Sequence, residues 1–314
     1  MATRVKIRKP EKPSAPTLKV SDWAYHVDLK ERKSALMAGI GMPVGLLLIL
    51  GAVPGAHRLF IIWLAWLAAA VVVHVWLRPA LERRAVLKDE AHSAEDVAFA
   101  RVLETLLVRI GRAYPVPRGV RAVVKTKGIS TLTLGRLIAV PAGLRGELSE
   151  AELMSVMARE VGHIVSGHVV PLNLLRSVNL SSRALAAVGL PLGVLVMLLR
   201  RWSYYAEVTA DRFATLVCAE GKSTAQAILR LALHAEPDNP QVSSEEVSDH
   251  LAAAEGLKAQ QDQIAMHFRL GEYLKERPDL YARLKQVASY VGSAEYKAAL
   301  EKIRPPQPAD QPSR

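Results

Sequence analysis

Two long stretches of the chain carry no charged side chain: residues 35–53 and 59–77. Each approaches the roughly 20 apolar residues that cross a bilayer core as a helix, whereas a helix buried in a water-soluble domain keeps a polar face. The link from Pro54 to Arg58 fits only a tight hairpin turn. A third apolar stretch, 180–199, differs. It contains Arg183, has Gly189-Leu190-Pro191 near its middle and is bracketed by Arg176 and Arg200-Arg201. A single crossing would put the segments on either side of it across a membrane from each other, so it reads as a re-entrant, interfacial or core-packed helix.

Elsewhere the pattern is amphipathic. Ala94 to Arg112 has helical spacing, with Val97, Leu103, Leu106, Leu107 and Ile110 on one stripe, and Pro115 and Pro117 end it. Val120 to Lys125 has strand composition, and Ser130 to Val140 predicts a hairpin turning at Gly135. Ser149-Glu150-Ala151-Glu152 is a capping box. The helix it opens buries Leu153, Val156, Met157, Val161, Ile164 and Val165 and runs to about His168, with Pro171 close behind. Further helices are predicted over Tyr204–Ala219, Ser223–Ala235, Glu245–Leu274 and Leu280–Tyr290, with a polar loop at Pro237–Ser244. The fold class is therefore mostly α with a small β-sheet or hairpin (α+β). It divides into a basic tail (1–33), an apolar transmembrane hairpin (34–78), a domain over 92–303 and a Pro/Gln/Ser-rich disordered tail (304–314).

Charge sharpens this picture. The net charge is +11, half the residues are hydrophobic, and mean hydropathy is +0.14. The basic excess sits beside the apolar runs: a Lys/Arg-rich tail before the first, and Arg78, Arg83, Arg84 and Lys88 after the second, against Arg58 alone in the turn. Positive-inside logic places both termini and the domain on the cytoplasmic side of the cell inner membrane, as a multi-pass protein. The bilayer is thus the first expected partner. No nucleic-acid-binding motif accompanies the charge, so nucleic acid is not expected as one. More than thirty mostly polar residues precede the first run, which argues against a cleavable signal peptide. Cys218 is the single cysteine, excludes an intrachain disulfide and reads as a small buried residue.

The chemistry lies in Arg159-Glu160-Val161-Gly162-His163 on the capped helix. Zinc peptidases use H-E-x-x-H because residues i and i+4 share a helix face, so two imidazoles grip one ion while the Glu activates the bound water. Here the Glu and the second His stand, and Arg159 replaces the first His. After the third apolar stretch come Glu207 and Asp211, again at i and i+4. In such a site Glu207 is the third metal ligand and Asp211 orients a ligand from behind. Arginine offers donors and no lone pair, so Arg159 repels a divalent cation and can fill the vacancy by bridging Glu207 or Asp211. That leaves His163 and Glu207 as ligands where catalytic zinc takes three. His168 lies about 140° round the helix from His163 and points elsewhere unless the helix unwinds at Gly167.

These parts, in this order, resemble the membrane zinc metallopeptidases that include the heat-shock protease HtpX and the CAAX prenyl endopeptidase. The resemblance covers roughly residues 95 to 290. It implies a zincin-like domain, zinc as the family's cofactor, and Arg277-Pro278 with Arg283 as the counterpart of a late His-Pro pattern. It also implies that Ser130, Thr131 and Leu132 form the edge that pairs with substrate. Three functional expectations follow. The first is a family member that binds little or no zinc and serves as a scaffold for a peptide or membrane-protein partner. The second is an active metalloendopeptidase acting on membrane or misfolded proteins, with Glu160 as general base. The third is a structural membrane protein with an accidental motif.

Overall fold

The computed structural model describes residues 31–34, 72, 77–88, 93–126, 131–180, 190–234 and 280–303. The apolar run 35–53, nearly all of 59–77, the predicted helix 245–274, Ser130 and Arg277 lie outside them. Among the described residues no helix is long and apolar enough to cross a membrane.

The elements in chain order are α1 (Arg78–Lys88), α2 (Ala94–Ala113), β1 (Arg121–Lys125), β2 (Leu132–Leu134), β3 (Leu137–Pro141), a 3-10 turn (Ala142–Leu144), α3 (Glu150–Val165), α4 (Val169–Leu180), α5 (Leu190–Cys218), α6 (Gly221–His234), α7 (Leu280–Val291) and α8 (Ala294–Ile303). A mostly helical molecule with a small sheet follows, as the periodicity implies.

Helix α2 starts where Ser93 accepts the amide of Asp96 at 3.1 Å, and acidic residues in its first turn complement the helix dipole. Its buried stripe is Phe99, Leu103, Leu106 and Ile110. Val97, expected there, is exposed: it sits about 120° away from Leu103 around the helix, and Phe99 fills the position instead. The strands pair in the order β1-β3-β2, with β1 parallel and β2 antiparallel to β3. All five residues of β3 are buried because both faces of the sheet are covered. Ala122, Val124, Ile138 and Val140 face the main core with α2 and α3. Val123, Leu137 and Ala139 face the other way, where Val86 of α1 packs on them. Strand β2 is left at the sheet edge.

Helix α3 runs through the centre. Its capping box is complete, with Glu152 Oε2 accepting the Ser149 amide at 2.7 Å. Glu152 also receives Arg230 of α6 at 2.8 Å. Burial extends well beyond the predicted stripe to Ala158, Glu160, Gly162 and His163, because α5 covers the face that a surface helix would show to water. Of the third apolar stretch, residues 181–189 lie outside the described residues, and the described ones fall in two helices. Residue 180 ends α4, and 190–199 are the first turns of α5, which continues without a break to Cys218. The predicted start at Tyr204 is thus corrected to Leu190. Pro191 falls in the first turn, where its missing N–H costs nothing, and no further proline follows it in the helix.

The two central helices touch at Gly162. A Cβ there would lie 2.9 Å from Phe213 Cβ, at the rigid base of a fully buried ring that is itself set edge-on to Tyr114 at 5.2 Å. Gly162→Ala is expected to push α3 from α5 and to lower stability by about 1–3 kcal/mol; the urea unfolding midpoint measures it.

Candidate functional site

The helices α3 and α5 bring Arg159, Glu160, His163, Glu207 and Asp211 together, and α7 adds Arg283. The i, i+4 spacing on each helix aims both residues of each pair across the interface, and the small Gly162 lets the helices approach. His163 Nε2 lies 3.8 Å from Glu207 Oε2, a convergence that removes the accidental-motif expectation.

Arg159 sits at the centre of the charges. Its Nη2 donates to Glu207 Oε2, and its Nη1 donates to Glu160 Oε1 at 3.0 Å. Its Nε faces Asp211 Oδ1 at 3.3 Å as a charge contact without a hydrogen bond. Asp211 is gripped from its other side by Arg283, whose Nε and Nη2 donate to the two carboxylate oxygens at 2.8 and 2.7 Å. Two guanidinium groups thus face three buried carboxylates. Burial alone would lower the Arg159 pKa; Glu207, Glu160 and Asp211 outweigh it, and the net shift is upward.

Glu160 is also held from the sheet edge. Thr131 donates to Oε1 at 2.9 Å and Thr133 to Oε2 at 2.6 Å. Residues 131 and 133 share one face of the chain because side chains alternate along a strand. Burial pushes the Glu160 carboxyl up, but Arg159 and the two hydroxyls outweigh it and hold it below its ordinary 4.5. Thr131, expected at a peptide-pairing edge, therefore directs its side chain to Glu160, with Leu132 next to it in β2.

His163 is buried and its pKa falls to about 3, mainly through loss of hydration. Its Nδ1 meets His168 Nδ1 at 3.1 Å. The geometric reason lies in how α3 ends. Gly167 adopts φ 74°, the His168 amide donates to His163 O at 2.9 Å and the Gly167 amide to Ile164 O at 3.2 Å. This is a Schellman turn, and it folds His168 back over His163 instead of carrying it 140° round the helix. His168 is directed at His163 and not at Glu207.

Sequence reasoning missed what holds His168. Glu31, from the tail before the first apolar run, is buried at 6% exposure. Its Oε1 lies 2.7 Å from His168 Nε2, and Thr209 of α5 donates to its other oxygen. Trp202 packs edge-on against the His168 ring at 5.5 Å. Nothing in the charged tail distinguishes Glu31 from its neighbours; the Thr209 position, between Glu207 and Asp211, was the available signal. Glu31→Ala is expected to remove the carboxylate that pairs with buried His168 and Thr209 and to cost about 1–3 kcal/mol. Glu31→Gln, which keeps an acceptor, is expected to cost less; thermal unfolding of the two variants checks this.

The donor set does not suit zinc. His163 and Glu207 offer lone pairs, but the third position holds a cationic, donor-only guanidinium already bonded to Glu207. Among the described residues no three His, Cys, Asp or Glu side chains are arranged to hold a metal ion.

The sequence model described as Peptidase family M48 matches residues 128–291, just over half of the chain. A relative, the plastoglobule-localized metallopeptidase 48, chloroplastic, of Arabidopsis thaliana, is 34% identical over 96 residues. That match covers 30% of this chain and 28% of the relative, so the chain aligns with under a third of that protein's length. No solved structure matches.

Proposed function

Given that this chain belongs to Peptidase family M48, we propose that it is a non-hydrolysing member of that family, attached to a membrane, that holds a peptide or membrane-protein segment without cutting it. The observation that carries the reading is the Arg159 guanidinium, bonded to Glu207 and Glu160 where a zinc peptidase needs an imidazole and an ion. Glu160 supports it as well. A general base works best with a pKa near the working pH. Here the carboxylate is held below 4.5 and accepts from two threonines and an arginine. The edge strand β2, beside α3, is where we place a bound segment. The uncharged runs 35–53 and 59–77 and their basic flanks support attachment to the cell inner membrane with the domain and both termini cytoplasmic.

Metal content tests this. The purified wild type is expected to carry no stoichiometric zinc. Arg159→His is expected to gain about one zinc per chain, held by the introduced imidazole together with His163 and Glu207. Wild-type protein with stoichiometric zinc and a chelator-sensitive cleavage of casein that Glu160→Gln abolishes would replace this reading with an active metalloendopeptidase.

A further inference from the structure

Helix α1 carries more exposed apolar surface than its packing explains. Of its described side chains, Val86 packs beneath the sheet with Glu82 half-buried nearby, and the others are exposed. An 11-residue helix is not stable in water by itself, yet Leu77 and Leu81 are each 52% exposed and Leu87 is 38% exposed. At about 100° per residue, Leu87, Ala80, Arg84, Leu77, Lys88 and Leu81 fall in one arc of about 120° opposite Val86.

The chemistry of that arc selects its cover. Leucines interleaved with Arg84 and Lys88 suit a surface that takes apolar side chains to the acyl boundary while long cationic side chains reach back to phosphate. Protein interface cores, by contrast, are poor in lysine. The acidic residue of the helix, Glu82, lies on the other side. The face also begins at Leu77, the last residue of the uncharged run 59–77.

We propose that α1 lies flat on an anionic lipid surface, with Leu77, Leu81 and Leu87 in the headgroup–acyl boundary and Arg84 and Lys88 on lipid phosphates. This rests on the membrane attachment proposed above, but not on either run crossing the bilayer. It sets the edge strand β2, which α1 touches, one helix diameter of ~10 Å from the lipid, so a segment pairing with β2 comes from the membrane-proximal side.

The test uses the full chain with Cys218→Ala, reconstituted with phosphatidylcholine alone or mixed three to one with phosphatidylglycerol. A polarity-sensitive label is placed at Leu81→Cys and, as a control, at the exposed Ala298→Cys of α8. The label at 81 is expected to emit at shorter wavelength and to be quenched several-fold more by brominated lipid than the label at 298. The excess is expected to fall when phosphatidylglycerol is omitted or when Arg84 and Lys88 are changed to Ser. Equal quenching at the two positions overturns the proposal. So does disulfide formation between two copies at position 81 that grows with protein concentration irrespective of lipid charge, which assigns the face to a second copy. Flotation with the vesicles reads the attachment separately: a chain that floats with a water-exposed label at 81 loses only this surface, and one that does not float loses the attachment too.

Discussion

Arg159→Met is expected to destabilise the fold by about 3–5 kcal/mol at neutral pH, the cost of removing one partner from a buried charge network. Methionine fills similar space, so the loss is electrostatic. Glu160 and Glu207 would stay buried with no adjacent guanidinium, and Asp211 would keep only Arg283. The pH dependence separates this from a packing defect. In the wild type Glu160 has a depressed pKa, so its contribution is fully present above the ordinary 4.5 and is lost as the pH falls through its folded value. The variant lacks that contribution. The gap between the two proteins is therefore at its full size above the ordinary 4.5. It narrows below that, as the wild-type Glu160 takes up its proton and its contribution is lost. Denaturant unfolding from about pH 2 to about pH 8 measures it. A gap that stays constant over this range would show that the guanidinium acts only by filling space.

Asp211→Ala is expected to cost a similar amount, about 3–5 kcal/mol, but with a different spatial signature. Asp211 is the one carboxylate among the described residues of the site that both guanidiniums approach, and the Arg283 contact is bidentate. Arg159 would retain Glu160 and Glu207, so the junction of α3 and α5 survives. Arg283 would lose both of these bonds, and α7 would lose this polar tie to α5. Amide hydrogen exchange is expected to rise over Leu280–Val291 before it rises in α3. Arg283→Lys is not a remedy, since a single ammonium cannot reproduce the forked pair.

What was legible in the sequence was local. The capping box at Ser149 and Glu152, the i, i+4 pairs on α3 and α5 and the hairpin at Gly135 each depend on residues a few positions apart. The bridge from Arg159 to Glu207 follows from charge chemistry once the two helices are assumed to meet. What was not legible depended on distant partners or on backbone turns. Glu31 and Thr209 are far apart in the chain and share no periodic pattern. His168 was placed by extrapolating a helix that in fact ends at Val165 and closes in a Schellman turn. The length of α5 was hidden because apolar composition in 190–199 suits a membrane segment and a continuous helix equally. The parallel pairing of β1 with β3 needed tertiary information, since adjacency in sequence favours the hairpin.

The position of Glu31 bears on where the chain can be shortened. The region shared with the family opens at residue 128, yet a fragment cut there would omit α2, which supplies one wall of the main core, and β1, without which β3 has a bare edge. It would also omit the carboxylate that sits on His168. A piece that keeps the Glu31–His168 contact must reach back past the first uncharged run to the end of the basic tail.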